Sequence, residues 1–265
     1  MKSFAKNILV VGAGNMGGAM ARGLAAGGFD VTLYNRTAAR LEGFRGVSGI
    51  SVTDDPGKAF AKAPSMILLC TPAAAVVDLC GSMIHRIGDL RPIVASCAAS
   101  CSLDEMEQAL SDLSNPKIVR ILPNIGVAVR HGAMLVCGRN LDNDDVEFIQ
   151  SAVETVGQYF DVPEELFPAA MSLSSCGIAY ALRYVRAAMQ AGVTMGLEAD
   201  MSERITAAVL EGTSALLENC EHPEVLIDKV TTPGGLTVAG LNELDANGFS
   251  HALISALKAA NPQKK

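Results

Sequence analysis

An α/β first half followed by an all-helical second half is the fold class predicted by this 265-residue sequence, and three observations predict it. Short β-rich runs alternate with helical patterns as far as about residue 162. A glycine-rich turn sits between the first run and the first helical pattern. Beyond Pro163 the strand signal vanishes and apolar residues recur only at helical spacing. At about 150 residues per domain the length suits one large domain or two modest ones, and the reading divides the chain into residues 1–162 and 163–265.

The strand runs, in order, are Ile8-Leu9-Val10-Val11, Val31-Thr32-Leu33-Tyr34, Met66-Ile67-Leu68-Leu69, Pro92-Ile93-Val94-Ala95 and Ile118-Val119-Arg120-Ile121. Such apolar runs suit strands of a parallel sheet covered on both faces. Residues 133–137 and 158–162 are two further candidates that extend the sheet, bracketing a helix over about 143–156. In the second half, Ile178, Leu182, Val185, Met189, Val193 and Gly196 recur every three or four residues, which predicts one long helix over 172–196. Small residues such as Ala187, Ala191 and Gly192 offer faces for a neighbouring helix. Asp200, with Glu203 three positions on, reads as the start of the next helix, and shorter helices follow over about 238–244 and 249–260.

Composition narrows the class of function. Hydrophobic residues make up 49% and charged residues 18%, which excludes disorder, and a net charge of -7 with no basic block excludes a phosphate-backbone footprint. No nucleic-acid partner is expected. Seven cysteines, at 70, 80, 97, 101, 137, 176 and 220, form no CxxC pair and no Cys/His ligand cluster, so they read as reduced thiols with no metal. No apolar run approaches the ~20 residues of a membrane span, and no charged, apolar and cleavable leader precedes the first strand. A cytoplasmic protein is the expectation. The helical half is too apolar for its length to hide its own faces, which predicts an obligate dimer.

Gly12-Ala13-Gly14-Asn15-Met16-Gly17 directly follows the first strand and opens a helix over about 16–26. In such a turn Gly12 permits the tight bend, Gly14 lets a pyrophosphate approach the backbone, and Gly17 lets helix and strand pack closely. Asn15 and Met16 supply free amides at the helix start, which face the anion. This is the fingerprint of a Rossmann dinucleotide-binding domain. The second strand ends in Tyr34-Asn35-Arg36-Thr37, without the acidic residue that holds the ribose hydroxyls of NAD. Arg36 can pair a 2′-phosphate, with Asn35 and Thr37 as uncharged hydrogen-bonding neighbours. NADPH is therefore favoured over NADH. Thr71-Pro72, and Ala98 within Ser96-Cys97-Ala98-Ala99, follow later strands where sheet carboxyl ends meet the dinucleotide.

Thr231-Thr232-Pro233-Gly234-Gly235-Leu236-Thr237-Val238-Ala239-Gly240-Leu241 is the most distinctive run of the helical half. Pro-Gly-Gly cannot sit inside a helix, yet a helical pattern follows at once. Unpaired amides and threonine hydroxyls therefore crowd a helix N-terminus, a site that suits a small carboxylate as well as it suits a plain cap between packed helices. Of the four histidines, His222 lies before Pro223 near this run, and a surface or capping role is expected of it.

This stretch, with Glu221-His222-Pro223 before it and Gly248-Phe249 after it, resembles the signature of pyrroline-5-carboxylate reductases. The glycine turn, Leu122-Pro123-Asn124 and the 174–180 region match that family in order and spacing, so the resemblance covers nearly the whole chain. It implies a Rossmann domain joined to a helical domain that dimerises by interleaving, with larger rings of dimers in some members. It also implies reduction of the C=N bond of a small cyclic imino acid, 1-pyrroline-5-carboxylate, to L-proline with NAD(P)H. By position, Thr237 would hydrogen-bond the imine nitrogen and orient or relay a proton. Thr232, Gly234 and Gly235 would hold the substrate carboxylate, across the dimer interface. Glu221 would contact the substrate nitrogen, and Pro123 and Asn124 would shape the nicotinamide side.

The chain departs from the family pattern at three places. It has Asn124-Ile125-Gly126 for Asn-Thr-Pro, Ser174-Ser175-Cys176-Gly177-Ile178-Ala179-Tyr180 for a run ending Gly-Ser-Gly-Pro-Ala-Tyr, and Thr71 for a lysine. These leave open a related imine or β-hydroxyacid substrate and a non-catalytic NADPH-binding paralogue. The similar β-hydroxyacid dehydrogenases use a lysine on the long helix, where this chain has Arg183 and Arg186 but no lysine.

Overall fold

A computed structural model describes residues 6–87, 90–218 and 221–261. By contacts the chain divides into two compact units, Met1–Ser175 and Cys176–Lys265.

The first unit is built on one eight-stranded sheet of order β3-β2-β1-β4-β5-β6-β7-β8. Its strands are β1 (Asn7–Val11), β2 (Asp30–Tyr34), β3 (Ile50–Thr53), β4 (Met66–Leu69), β5 (Ile93–Ser96), β6 (Ile118–Leu122), β7 (Gly132–Arg139) and β8 (Gly157–Asp161). The helices between them are α1 (Asn15–Ala26), α2 (Pro56–Ala59), α3 (Ala73–Ile87), α4 (Leu103–Ala109) and α5 (Asn143–Val153). Alternation along β1 and β4 sends Ile8, Val10, Met66 and Leu68 into one core with Met20 and Leu24 of α1 and Ile149 of α5. Leu9, Val11, Ile67 and Leu69 enter the opposite core with Val76 of α3 and Met106 of α4. Each fully buried Leu or Ile contributes about 1.5–3 kcal/mol, which is why these strands carry no polar face.

Two features differ from the sequence reading. Strand β3, which was not among the strand runs singled out in the sequence, pairs in parallel with β2 at the sheet edge. Its Ser51 and Thr53 face outward, so the apolar run that marks the central strands is missing. Strand β7 runs antiparallel to β6 while all other neighbours are parallel. The linking residues 123–131 hold only a 3-10 turn, Ile125–Val129, too short for the dozen or more residues that a parallel crossover needs.

Helix α6 (Phe167–Met171) and all but the last residue of a π-turn, Ser172–Cys176, complete the first unit. They are anchored through Arg120 on β6. Its guanidinium donates to Glu164 at 2.8 Å and to the Ala99 carbonyl at 2.6 Å, and lies 4.8 Å from the Phe167 ring centre.

The second unit is helical: α7 (Gly177–Thr194), α8 (Ala199–Leu217), α9 (Pro223–Val230), α10 (Leu236–Ala246) and α11 (Phe249–Ala259). The long helix predicted over 172–196 is found as the π-turn over 172–176 running directly into α7, which ends at Thr194. Helix α8 is capped at Glu198, so Asp200 lies within its first turn and is not its cap. Helix α9 was not legible; His222 caps it, accepting the Glu224 amide at 3.3 Å. Gly192 is the small face expected of α7, since a β-carbon there would strike Ser202 of α8. Leu182, Val193, Ile205 and Val209 point outward and remain at least half exposed. Among the described residues no helix is long and apolar enough to cross a membrane.

Candidate active site

The glycine turn joins β1 to α1 as the spacing predicts. Gly12 has φ +107°, and a β-carbon there would lie 2.5 Å from the Cys70 carbonyl oxygen. At Gly17 a β-carbon would strike the Gly12 carbonyl. Both glycines are required by the backbone itself. Gly14 differs, because a β-carbon there would meet nothing within 4 Å. It caps α1 with φ -77° and without any side-chain cap, so the first amides of α1 are left for a ligand.

A cavity of about 630 Å³ opens over this turn at the carboxyl ends of β1, β2 and β4. Its lining includes Gly12, Gly14, Asn15 and Met16 from the turn and Asn35, Arg36 and Thr37 from the end of β2. Thr71 and Pro72, after β4, line it as well, while Gly17 is buried just behind it. The hydroxyl of Thr71 is buried with no hydrogen-bond partner in the described structure, a polar atom whose burial is costly unless a ligand meets it. Lining residues that the sequence reading did not single out include Tyr34, Arg40 and Cys70. Arg40 was legible in principle, as a second cation four residues beyond Arg36. Cys70 was not, because its place depends on how β4 meets the turn.

Asn35 has a different task from the one expected. Its oxygen accepts the Ala13 amide at 3.0 Å and its nitrogen donates to the Thr37 carbonyl at 3.0 Å. The side chain braces the glycine turn from within. The Cys70 and Cys97 sulfurs lie 3.6 Å apart at the ends of β4 and β5, and the hydrogen bond between them, with burial, pushes the Cys97 thiol well above its ordinary range. The six described cysteines are all free thiols, and Cys220 lies outside the described residues.

Ala98, Pro123 and Asn124 follow β5 and β6 and do not line this cavity. Ala98 is buried, its amide donating to the Ser96 hydroxyl at 3.2 Å. Asn124 is 8% exposed and fully engaged. It accepts from the amides of Gly126 and Ala133 at 3.0 and 3.2 Å, and donates to the Ser174 carbonyl at 2.8 Å. The Ser174 hydroxyl is buried without a partner in the described structure.

In the second unit the Thr-Thr-Pro-Gly-Gly run forms the turn that opens α10. The Gly235 amide donates to the Thr232 carbonyl at 2.9 Å, and Gly234 takes φ +70°. Gly235 caps α10 without a side-chain hydrogen bond. The helix-start amides and the exposed Thr232 and Thr237 are thus presented together, and bare helix-start amides of this kind suit a small anion. Glu221 is held by Lys229, with both carboxylate oxygens at 2.6 Å.

Comparison with known proteins agrees with both halves. Residues 164–265 match the family model for pyrroline-5-carboxylate reductase dimerisation. Residues 7–101 match that of the NAD binding domain of 6-phosphogluconate dehydrogenase. Pyrroline-5-carboxylate reductase 3 of Mus musculus is 33% identical over 96% of this chain and 93% of its own. Pyrroline-5-carboxylate reductase 2 of Dictyostelium discoideum is 30% identical over 95% and 90%. The solved pyrroline-5-carboxylate reductase of Coxiella burnetii superposes with a TM-score of 0.88 at 25% identity, covering 98% of this chain and 97% of its own. With its dinucleotide-binding sheet and a helical dimerisation domain, the chain belongs to the pyrroline-5-carboxylate reductase family.

Proposed function

We propose that the protein reduces the C=N bond of 1-pyrroline-5-carboxylate to L-proline with NADPH, as a step of proline biosynthesis. The observation that carries this reading is the turn before α10, where uncapped amides and exposed threonines gather at one helix start in a chain of this family.

Residues 1–162 serve as the dinucleotide-binding domain in this reading and residues 163–265 as the substrate-binding and dimerisation domain. The cavity over the glycine turn fits a dinucleotide in size, in its cationic rim and in the orphaned Thr71 hydroxyl. Gly14 leaves room for the pyrophosphate, and the amides at the start of α1 neutralise it. When bound, the reduced dinucleotide supplies the hydride that reaches the imine carbon.

Thr232, Gly234 and Gly235 hold the substrate carboxylate, and the Thr237 hydroxyl hydrogen-bonds the imine nitrogen. A protonated cyclic imine is already electrophilic, so these groups mainly fix geometry and exclude water. A threonine hydroxyl is a poor acid, so Thr237 orients the nitrogen and relays a proton that comes from solvent. Asn124, with its side chain spent on backbone, sets the shape of the loop after β6. Glu221, whose carboxylate Lys229 holds through both oxygens, contacts the substrate nitrogen in this reading. The protein acts in the cytoplasm as a homodimer, with rings of dimers as the larger assembly.

The test is a panel with the purified protein, following loss of the reduced nicotinamide absorbance with NADPH or NADH. Its substrates are 1-pyrroline-5-carboxylate, its six-membered homologue and a β-keto acid. Turnover with the five-membered imine, lost in Thr237→Ala while the variant stays folded, is the expected result. Oxidation only with the keto acid, or full kcat and KM in Thr237→Ala, would sink the assignment.

A further inference from the structure

Cys70 and Cys97 take equivalent places on two adjoining strands. Leu69 of β4 faces Ser96 of β5 in parallel register, and each cysteine comes one residue later. The Cys97 amide still donates to the Leu69 carbonyl at 3.0 Å, so the ladder holds the two segments together as far as this pair. Neighbouring strands lie about 4.8 Å apart, inside the range of about 4.4–6.8 Å between the α-carbons of a disulfide. The two sulfurs already touch at 3.6 Å in a hydrogen bond, with both thiols free. Side-chain rotation can bring them to the bond length of about 2.05 Å without separating the strands.

Access to the two sulfurs is unequal. Cys70 lines the cavity over the glycine turn, whereas Cys97 is not part of its lining. The hydrogen bond to Cys70, with burial, holds the proton of Cys97 well above the ordinary thiol range, which makes it a poor first nucleophile. The other cysteines of the first unit, Cys80, Cys101 and Cys137, are buried. Cys70 is therefore the sulfur that a small oxidant in the cavity meets first.

Cys70 also supports the glycine turn. Its amide donates to the Val11 carbonyl at 2.8 Å. Its carbonyl oxygen lies 2.5 Å from where a β-carbon of Gly12 would stand, and its own β-carbon 2.9 Å from where that of Gly17 would stand. With so little slack, drawing the Cys70 side chain towards Cys97 shifts the turn whose amides face a pyrophosphate.

We propose that Cys70 and Cys97 form a peroxide-sensitive thiol pair, a modification site that closes into a reversible disulfide on the cavity wall and thereby excludes the dinucleotide. The Cys70 sulfur attacks one oxygen of hydrogen peroxide, the O–O bond breaks, and the departing hydroxide leaves as water with the thiol proton. The Cys97 sulfur then attacks the resulting sulfenic sulfur. The S–S bond forms as the S–O bond breaks, and a second water carries off the Cys97 proton. The two thiols lose two electrons between them, and one peroxide is reduced to two waters. The exclusion rests on the reading of the cavity as the dinucleotide site, while the disulfide does not.

Reduced protein is treated with hydrogen peroxide, alkylated and mapped by mass spectrometry, and NADP+ binding is measured by calorimetry before and after. A peptide pair joined through Cys70 and Cys97 is expected, released by dithiothreitol and absent from Cys97→Ala. Oxidation weakens NADP+ binding at least about fivefold, and, because linkage is reciprocal, saturating NADP+ opposes formation of the disulfide. Dithiothreitol restores the affinity. If no joined peptide forms in the wild-type protein, the proposal is overturned whatever the variant does. A disulfide that forms yet leaves NADP+ affinity within about twofold overturns the exclusion. Reduced wild-type protein that does not bind NADP+ overturns the dinucleotide reading of the cavity, and the exclusion with it.

Discussion

The carboxamide oxygen of Asn35 accepts the backbone amide of Ala13 across 3.0 Å, tying the end of β2 to the middle of the glycine turn. A lost hydrogen bond of this kind costs about 1 kcal/mol, so Asn35→Ala should weaken NADPH and NADH together, by roughly fivefold. The ratio of the two KM values tests this. A changed ratio would mean that Asn35 reads the phosphate directly.

Gly14 and Gly17 should part company when each is replaced by alanine. A β-carbon at Gly17 strikes the Gly12 carbonyl, so Gly17→Ala destabilises the fold by about 1–3 kcal/mol. At Gly14 the same atom enters open space, and Gly14→Ala should melt like the wild type yet bind dinucleotide at least about tenfold more weakly. Thermal melts with and without NADPH distinguish the two.

Arg120 is 6% exposed, and Glu164 is its one ion-pair partner in the described structure. Glu164 also accepts the Leu103 amide at the start of α4, at 2.7 Å. Removing the carboxylate strands a buried cation, so Glu164→Ala should cost about 3–5 kcal/mol of unfolding free energy. Combining it with Arg120→Met should recover much of the loss, as read in urea melts. A double variant no more stable than Glu164→Ala would show that the pair's worth lies elsewhere.

Burial, with the neighbouring Cys101 thiol, pushes Cys80 up to about 12, and burial chiefly pushes Cys137 to about 11, against an ordinary value of 9.0. The native state holds these protons above pH 9 while the unfolded chain releases them. Their stabilisation is thus complete below pH 9 and falls by up to about 1.4 kcal/mol per pH unit for each thiol until its folded value is passed. Cys80→Ala should flatten this alkaline decline. Urea melts in reductant across that window measure it, and an unchanged slope would refute it.

The central strands could be read from sequence because burial on both faces leaves an unbroken apolar run, as in Met66-Ile67-Leu68-Leu69. Strand β3 escaped because an edge strand buries one side only, and Ser51 and Thr53 look like loop. The glycine turn was legible because its spacing is imposed by carbonyls at fixed distance. The tasks of Asn35 and Asn124 were not, since they depend on which backbone amides come within reach once β2 and β6 are in place. Helix α9 has a start signal in Pro223 at its first position, but it is only eight residues long and its cap is a histidine, so its pattern did not stand out. The turn before α10 was the reverse case, because Pro-Gly-Gly beside a helical pattern dictates a bare helix start wherever it occurs.

Leu236, the first residue of α10, is 93% exposed, and Leu182, Ile205 and Val209 on α7 and α8 face outward as well. In a chain carrying the family's dimerisation domain, the free energy of folding then contains the free energy of association. Dilution should lower the melting temperature, so a variant's measured robustness will depend on how much protein is in the cuvette.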